Sequence, residues 1–340
     1  LAKYPAYKIV VYDKLTYAGR RENLENAEDS PHFAFVQGDI CDEKKVAETI
    51  QQYNIDSIVN FAAETHVDRS IMNPVDAVQT NLNGTQTLLE AVRNLKLERF
   101  HQISTDEVYG AIPAPNRSRE GDPFEPRSPY SASKAAAEHL VYSYFVTYNL
   151  PVTTTRGSNN IGPYHYPEKA VPLFATNAME NQPLPIYGDG MQMRDWQYVE
   201  DHCEAIDLVL HQGKLGEAYN VGTGVETHNI DMAKKILDIL GKPHSLLTFV
   251  PDRAGHDRRY ALDVNKLKAL GWKPSHTFDQ ALEKTVTWFV ANAVLGLSSL
   301  SLALGSVPSS VFKKGTITDD TAIYQNLSEI PLSKERSPNF

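Results

Sequence analysis

The sequence predicts an α/β protein built on a doubly wound parallel sheet, followed by a smaller α/β lobe. Three observations carry this. Short β-branched and aromatic runs recur, segments with helical spacing separate them, and each run stops at an acidic or small residue. The first run, Tyr7 to Tyr12, reads Tyr-Lys-Ile-Val-Val-Tyr and ends at Asp13. The second, His32 to Val36, ends at Gly38-Asp39, and the third, Ser57 to Phe61, ends at Ala62-Ala63. Unbroken apolar runs of this length suit strands buried on both faces. Between the second and third, Glu43 to Tyr53 carries Val46, Ile50 and Tyr53 at helical spacing behind Asp42, a predicted N-cap. The alternation continues through a helix over Val78 to Leu95 and a strand over Arg99 to Ser104. Ligands of such sheets bind beyond the carboxyl ends of the strands, so Asp13, Asp39, Ala62 to His66 and Thr105 to Glu107 become candidates.

After Pro151 the texture changes. Pro163, Pro167, Pro172, Pro183 and Pro185 predict a loop-rich stretch with short helices, assigned to a substrate-side lobe. A helix over Val199 to Leu210 and a strand over Ala218 to Val221 fit either lobe. The expected division is 1–155 for the first domain, with 196–221 returning to it, 156–292 for the second lobe, and a tail of low order over 293–340.

Composition removes several classes of function. The 340 residues are 41% hydrophobic and 22% charged, and no apolar run reaches the roughly 20 residues a membrane span needs. A formal net charge of -9 recruits neither nucleic acid nor an anionic membrane surface, so an anionic ligand must be met by locally placed Arg or Lys. Cys41 and Cys203 are too few for a disulfide framework or a Cys-rich metal site, and no metal is expected. Such cysteine use fits a reducing cytosol, and a cytoplasmic location is expected. The chain opens on Leu1, and Leu1 to Lys8 carries no apolar signal-like segment; this start is expected to be a truncation.

Tyr130 and Lys134 form Y-x-x-x-K inside Pro-Tyr-Ser-Ala-Ser-Lys-Ala-Ala-Ala-Glu, a helix-forming stretch that stacks the two side chains one turn apart. An ammonium beside a phenol is expected to lower the Tyr pKa into a usable range. The spacing alone is weak, because Tyr4 and Lys8 repeat it and the chain holds 17 Tyr. What lifts Tyr130 is Ser104-Thr105-Asp106-Glu107-Val108-Tyr109-Gly110 at the end of the preceding strand. Two adjacent carboxyls are usually a solvated turn. At a ligand-facing strand end they suit chemistry that needs one protonated and one ionised carboxyl.

These motifs, together with Tyr12 to Gly19, Ala62 to Ser70, Ser158-Asn159-Asn160, Tyr187 to Gly190, Arg194-Asp195-Trp196 and Gly255 to Tyr260, resemble the extended short-chain dehydrogenase/reductase family over about residues 1 to 290. The resemblance implies a Rossmann-like fold and an enzyme that dehydrates a nucleotide sugar, dTDP-glucose, with tightly bound NAD. It implies that Tyr130 with Lys134 takes the sugar C4 hydroxyl proton and that Thr105 holds the new ketone. Glu107 would remove the C5 proton, and Asp106 would protonate the leaving C6 hydroxyl. Asp13, Lys14, Leu15 and Thr16 would meet the adenosine ribose, where an acidic residue favours NAD over NADP. Asp39 and Ile40 would flank adenine, Ala62, Ala63 and Thr80 the central cofactor, and Asn160 the nicotinamide. Thr65, Asn159, Arg194, Asn220 and His256 would face the sugar nucleotide, Arg194 as a diphosphate clamp. A homodimer through Leu88 to Leu97 and Ser133 to Tyr148 is implied as well.

The sequence also departs from the family. The first strand and its glycine-rich turn are absent, Leu1 to Tyr7 reads as the end of the first crossover helix, and weak NAD binding by this chain is the expectation. Thr65 stands where Ser is usual, Ile161 for Tyr and Ala254 for Pro, while Ala293 to Phe340 matches nothing in the family. Two other readings stay open. One is a sugar-nucleotide 4-epimerase or decarboxylase, which does not need the Asp106 and Glu107 pair. The other is a catalytically silent sugar-nucleotide-binding fragment.

Overall fold

The structure, a computed structural model, describes residues 1–295. Its strands are β1 (Ile9–Asp13), β2 (Phe33–Gln37), β3 (Ser57–Asn60), β4 (Arg99–Thr105), β5 (Val152–Gly157), β6 (Asn159–Ile161), β7 (Leu184–Tyr187), β8 (Met193–Tyr198), β9 (Ala218–Val221), β10 (Glu226–His228) and β11 (Leu247–Val250). Its helices are α1 (Glu25–Glu28), α2 (Glu43–Tyr53), α3 (Val67–Met72), α4 (Pro74–Val78), α5 (Thr85–Leu95), α6 (Pro129–Tyr148), α7 (Ala170–Met179), α8 (Val199–Gln212), α9 (Asn229–Ile239), α10 (Asn265–Ala269) and α11 (Phe278–Leu295).

Parallel pairing dominates the first half. β1 pairs with β2, and β3, β4, β5 and β9 form a four-stranded sheet in that order. The expected single sheet is therefore two, and among the described residues β1 and β3 each keep an edge without a strand partner. The larger sheet is covered on both faces. Phe100 and Val152 point into a core with Leu89 and Val92 of α5 and Val141 of α6. One residue along, on the opposite face, His101 sits between Thr153 Oγ1 at 2.8 Å and Thr155 Oγ1 at 3.1 Å. Gly157 on that face leaves room for the His202 ring of α8, which a Cβ would meet at 2.5 Å.

Strand ends and caps fall where the residue types require. The predicted cap Asp42 accepts a hydrogen bond from Lys45 N at 3.0 Å and starts α2. The expected continuous helix over 78–95 is instead interrupted. Pro74 starts α4 behind the Asn73 cap, a π-helical turn spans 79–84, and α5 follows. Asn81 explains the extra turn. Its side chain is drawn inward to Glu64 N (2.8 Å), Glu64 O (3.0 Å) and Ser133 Oγ (2.9 Å).

Two segments beyond Pro151 are more regular than the prolines suggest. Val-Thr-Thr-Thr-Arg-Gly makes β5, because three β-branched threonines pack between β4 and β9. The 155/156 division would thus cut a strand. In α7 Pro172 lies in the first turn, where its missing N–H costs nothing. The second lobe combines the three-stranded sheet β10-β8-β6 with the parallel pair β11-β7. Its core joins Phe174, Leu184, Ile186, Met232, Ile236 and Leu282. The tail expected from 293 lies outside the described residues, apart from the end of α11. The cap yields a first prediction: Asp42→Ala lowers the unfolding free energy by about 1 kcal/mol while Asp42→Asn stays near wild type, as read from urea midpoints at equal slope.

Candidate active site

The carboxyl end of β4 builds the centre. Thr105 is the last strand residue and caps a 3-10 turn over Asp106–Tyr109, its Oγ1 accepting Glu107 N at 3.3 Å. The same hydroxyl donates to Asp106 Oδ1 at 3.3 Å, and Asp106 Oδ2 is buried without a partner. Asp106 is only 3% exposed, so burial, and after it the adjacent Glu107, drive its pKa well above the usual carboxylate range. Glu107 is also raised by burial, but the cations Arg253, Arg194 and Lys169 pull it back. The two neighbouring carboxyls therefore stand in unlike environments, with Asp106 the stronger proton holder.

The second half of the centre is the start of α6. Ser128 and Ser131 form a capping box, Pro129 sits in the first turn, and Ser70 Oγ accepts Tyr130 N at 3.1 Å. Tyr130 and Lys134 are both buried one turn apart. Tyr130 lies in the field of Glu107 and Asp106 and hydrogen-bonds Thr105, so phenol and carboxyl pair share one site. The expected lowering of the phenol is not found. Burial dominates and pushes Tyr130 upward, Glu107 adds to it, and Lys134 Nζ donates to Ile103 O at 2.6 Å. It is Lys134 whose pKa falls, to about 8, because burial outweighs the opposing pull of Glu138.

The residues assigned to the cofactor fall on loops after β1, β2 and β3, on the π-helical turn and on β6. Asp13 Oδ1 accepts Leu15 N at 2.7 Å in a turn where Leu15 takes a φ of 53°. Gly19 closes that turn, since a Cβ there would meet Leu15 Cα at 2.7 Å. Lys14 and Asp39 pair at 2.7 Å; burial works upward on Asp39, but Lys14 and the Cys41 N–H outweigh it and hold the carboxyl low. Ile40 packs on Gly84 of the π-helical turn that carries Thr80, where a Cβ would meet Ile40 Cδ1 at 2.4 Å. Thr16 lies on the loop after β1, exposed, and Ala62 and Ala63 lie on the loop after β3, half-buried. Asn160 Oδ1 lies 2.9 Å from Nδ1 of His202, whose pKa burial lowers to about 4.

The sugar-nucleotide candidates divide. Thr65 is exposed, its carbonyl taking Lys169 Nζ at 2.6 Å, and Asn159 Oδ1 is buried without a partner. Arg194 is 5% exposed and stacks 4.1 Å over the Tyr260 ring. It donates to Met193 O at 2.8 Å and Asp257 O at 2.9 Å, which turns it toward the carboxyl pair. His256 is held by Asp252 Oδ1 at 2.6 Å, and burial, with Arg253 beside it, lowers its pKa to about 4. Asn220 is corrected. Fully buried, it takes the Tyr109 hydroxyl at 2.9 Å and donates to Ser118 O and Asp263 O at 2.9 and 3.2 Å, so its amide is spent inside the fold.

Sequence reading assigned no role to Lys169, Arg253 or Tyr260. Lys169 and Arg253 are half-buried cations acting on Glu107, and the Tyr260 hydroxyl lies 3.5 Å from Glu107 Oε2 and 2.9 Å from Asp257 Oδ2. Glu168 ties the Lys169 loop to the cofactor side, taking Tyr17 OH at 2.9 Å and Arg69 Nε at 3.2 Å. Lone charges in the proline-rich loop and before Ala254-Gly255-His256 were the available signals.

A Tyr-Lys pair on a helix, facing a strand-end Thr-Asp-Glu across a parallel sheet, defines an extended short-chain dehydrogenase/reductase of the dehydrating kind. Residues 1–285 match the family model described as GDP-mannose 4,6 dehydratase, and the chain belongs to that family. It is 48% identical over 304 residues to a dTDP-glucose 4,6-dehydratase of Xanthomonas campestris pv. campestris, covering 84% of this chain and 87% of the relative. DesIV, the dTDP-glucose 4,6-dehydratase of Streptomyces venezuelae solved with NAD bound, is 44% identical with a TM-score of 0.84 over 86% of this chain and 92% of its own. The UDP-glucose 4-epimerase of Thermus thermophilus, in complex with NAD, is 32% identical with a TM-score of 0.77, covering 83% of this chain and 90% of its own.

Lys134 generates a prediction about stability. Its folded pKa, about 8, lies below its ordinary value of 10.5. Folding therefore opposes the ammonium, fully below pH 8, and the penalty fades as pH rises towards 10.5. Lys134→Met is expected to be more stable near pH 7 by up to about 3 kcal/mol, with the gain shrinking at alkaline pH. Thermal melts at the two pH values test this, and a variant less stable at both contradicts it.

Proposed function

We propose that the chain is a lyase that converts dTDP-glucose to dTDP-4-keto-6-deoxyglucose, with NAD retained throughout. The observation carrying this is the pair of a buried Asp106 and a half-buried Glu107, unlike in environment, beside Tyr130 and Lys134. An epimerase has no use for such a pair, which disfavours that reading.

NAD fits the residues present. The exposed Asp13 carboxylate, the turn over Lys14, Leu15 and Thr16, and the Asp39–Ile40 segment make an acidic cradle that suits a ribose with a free 2'-hydroxyl. Ala62, Ala63, Thr80 and Asn160 would meet the rest. When bound, NAD would supply hydride acceptance at the sugar C4 and hydride return at C6, with Glu107 giving a proton back to C5.

Around that exchange the chain moves protons. Tyr130 would hand its phenolic proton to Lys134 in its neutral form as it takes the C4 hydroxyl proton, a relay open to an amine whose pKa of about 8 lies close to neutrality. Thr105 would donate to the C4 oxygen as it becomes a ketone. Oxidation at C4 acidifies the C5 proton, which Glu107 would remove, kept receptive by Arg253, Arg194 and Lys169. Asp106 keeps its proton and would pass it to the C6 hydroxyl as water leaves. The same three cations, with Thr65, Asn159 and His256, would hold the sugar diphosphate.

With β5 kept whole, the cofactor lobe runs to Gly157 and regains α8 and β9, and the rest of the chain to 292 forms the substrate lobe. A homodimer through α5 and α6 is supported by Tyr142 and Val146, which leave α6 58% and 64% exposed. No described helix is long and apolar enough to cross a membrane, in line with a cytoplasmic setting.

Incubation with dTDP-glucose and added NAD in deuterated water is the test. The expected product lacks one water and carries deuterium at C5. Glu107→Gln is expected to lower kcat by about 100-fold or more while reduced nicotinamide still forms. Unchanged substrate, or dTDP-galactose as product, overturns the reading.

A further inference from the structure

Arg156 lies outside the chemistry just described but touches both halves of it. The register of β5 sets it opposite Ser104 of β4 and Asn220 of β9, one residue below the Thr105–Gly157 pair. On one side its Nε donates to Glu138 Oε1 at 2.7 Å, and its Nη2 reaches the same oxygen. Glu138 stands on α6 one turn beyond Lys134 and two beyond Tyr130. On the other side its Nη1 donates to the Tyr109 hydroxyl and to Glu120 O at 2.8 Å. Tyr109 is the last residue of the turn that opens with Asp106 and Glu107.

The guanidinium is held in plane and in place. It stacks 5.1 Å over the Tyr109 ring and 4.7 Å over Phe124, and Tyr109 OH donates a hydrogen bond to Asn220 Oδ1 at 2.9 Å. The ionic side chains are 7% and 6% exposed, and Glu138 Oε2 is buried without a partner. A buried ion pair with an unsatisfied oxygen is a poor device for stability, because desolvation cancels most of the Coulomb gain. It is a good device for fixing a distance, since Arg offers a rigid fork to two partners.

We infer that Arg156, Glu138 and Tyr109 form a strut that sets the Tyr130–Lys134 helix against the Asp106–Glu107 turn, making them positioning residues for the elimination step. This rests on the dehydratase reading above. C4 oxidation uses groups on α6, whereas loss of water uses groups on the turn, so a slack strut leaves oxidation running ahead of elimination.

The test compares wild type with Tyr109→Phe, Glu138→Gln and the double variant. Each single variant is expected to lower kcat by about 10- to 100-fold, with KM changed less than about threefold. Reduced nicotinamide is expected to accumulate at its absorbance band during turnover. The three variants are expected to show non-additive unfolding free energies, because Arg156 joins the two sites. Arg156→Lys, which keeps the charge but not the fork, is expected to behave like the double variant. Additive unfolding energies with an active wild type overturn the strut alone. Non-additive energies with product and reduced nicotinamide falling in proportion overturn the positioning role. A wild type that turns over no dTDP-glucose overturns the dehydratase reading first and this inference with it.

Discussion

Drawing two adjacent carboxyls out of water, Asp106 fully and Glu107 in part, is the constraint from which most of this site follows. Left alone in a low dielectric they would both be protonated, and neither would serve as a base. Arg253 and Lys169 break that symmetry by acting on Glu107, and Arg194 reaches both carboxyls, while burial and the charge of its neighbour dominate at Asp106. The cations are themselves desolvated, and they arrive on three separate segments. Each therefore needs anchoring. Thr65 O holds Lys169, Asp68 lies 3.5 Å from Arg253, and Met193 O and Asp257 O hold Arg194. The second lobe exists, in this sense, to bring charge to a strand end of the first.

The same burial acts in opposite directions on the partners across the site. It raises Tyr130 and lowers Lys134, so the phenol keeps its proton while the ammonium gives its own up more readily than it would in water. Such a site works against stability, so its surroundings must over-determine it. They do so with polar contacts rather than extra apolar mass. Asn60 Nδ2 reaches Thr85 Oγ1 at 3.3 Å and Gln102 Oε1 at 3.0 Å, and Asn81 bonds the Glu64 backbone and Ser133. That network fixes the π-helical turn, the Ala62–Thr65 loop and α6 as one unit.

Much of this was legible in the sequence because it is local. Strand ends, the Asp42 cap, the Tyr130–Lys134 spacing and the juxtaposed Thr105-Asp106-Glu107 are all short-range patterns, and parallel topology supplies their common edge. What escaped was set by distant contacts. Lys169 and Arg253 are ordinary cations until loops far apart in the chain deliver them to Glu107. The sign of the Tyr130 shift could not come from spacing, since the motif encodes a neighbour but not burial. Asn220 sits at a strand end like the other candidates, yet its side chain turns inward because Tyr109, Ser118 and Asp263 meet it there. The π-helical turn was hidden because Asn81 reads as any helical Asn until Glu64 is folded beside it.

The relation to the epimerase-like fold shows where specificity of reaction resides. A protein 32% identical can share the sheet and overall shape, so architecture cannot decide which reaction follows oxidation at C4. In the reading proposed above, the deciding feature is a four-residue 3-10 turn. Its cap, Thr105, is already committed to the strand, so any residue placed next in line is projected into the same pocket as Tyr130. In the proposed reaction the new ketone makes the sugar ready for elimination and the two carboxyls would carry it through, one accepting the acidified proton while the other supplies the proton that water needs to leave. Removing the pair would leave the oxidation machinery whole and the product of the first step with nowhere to go but back.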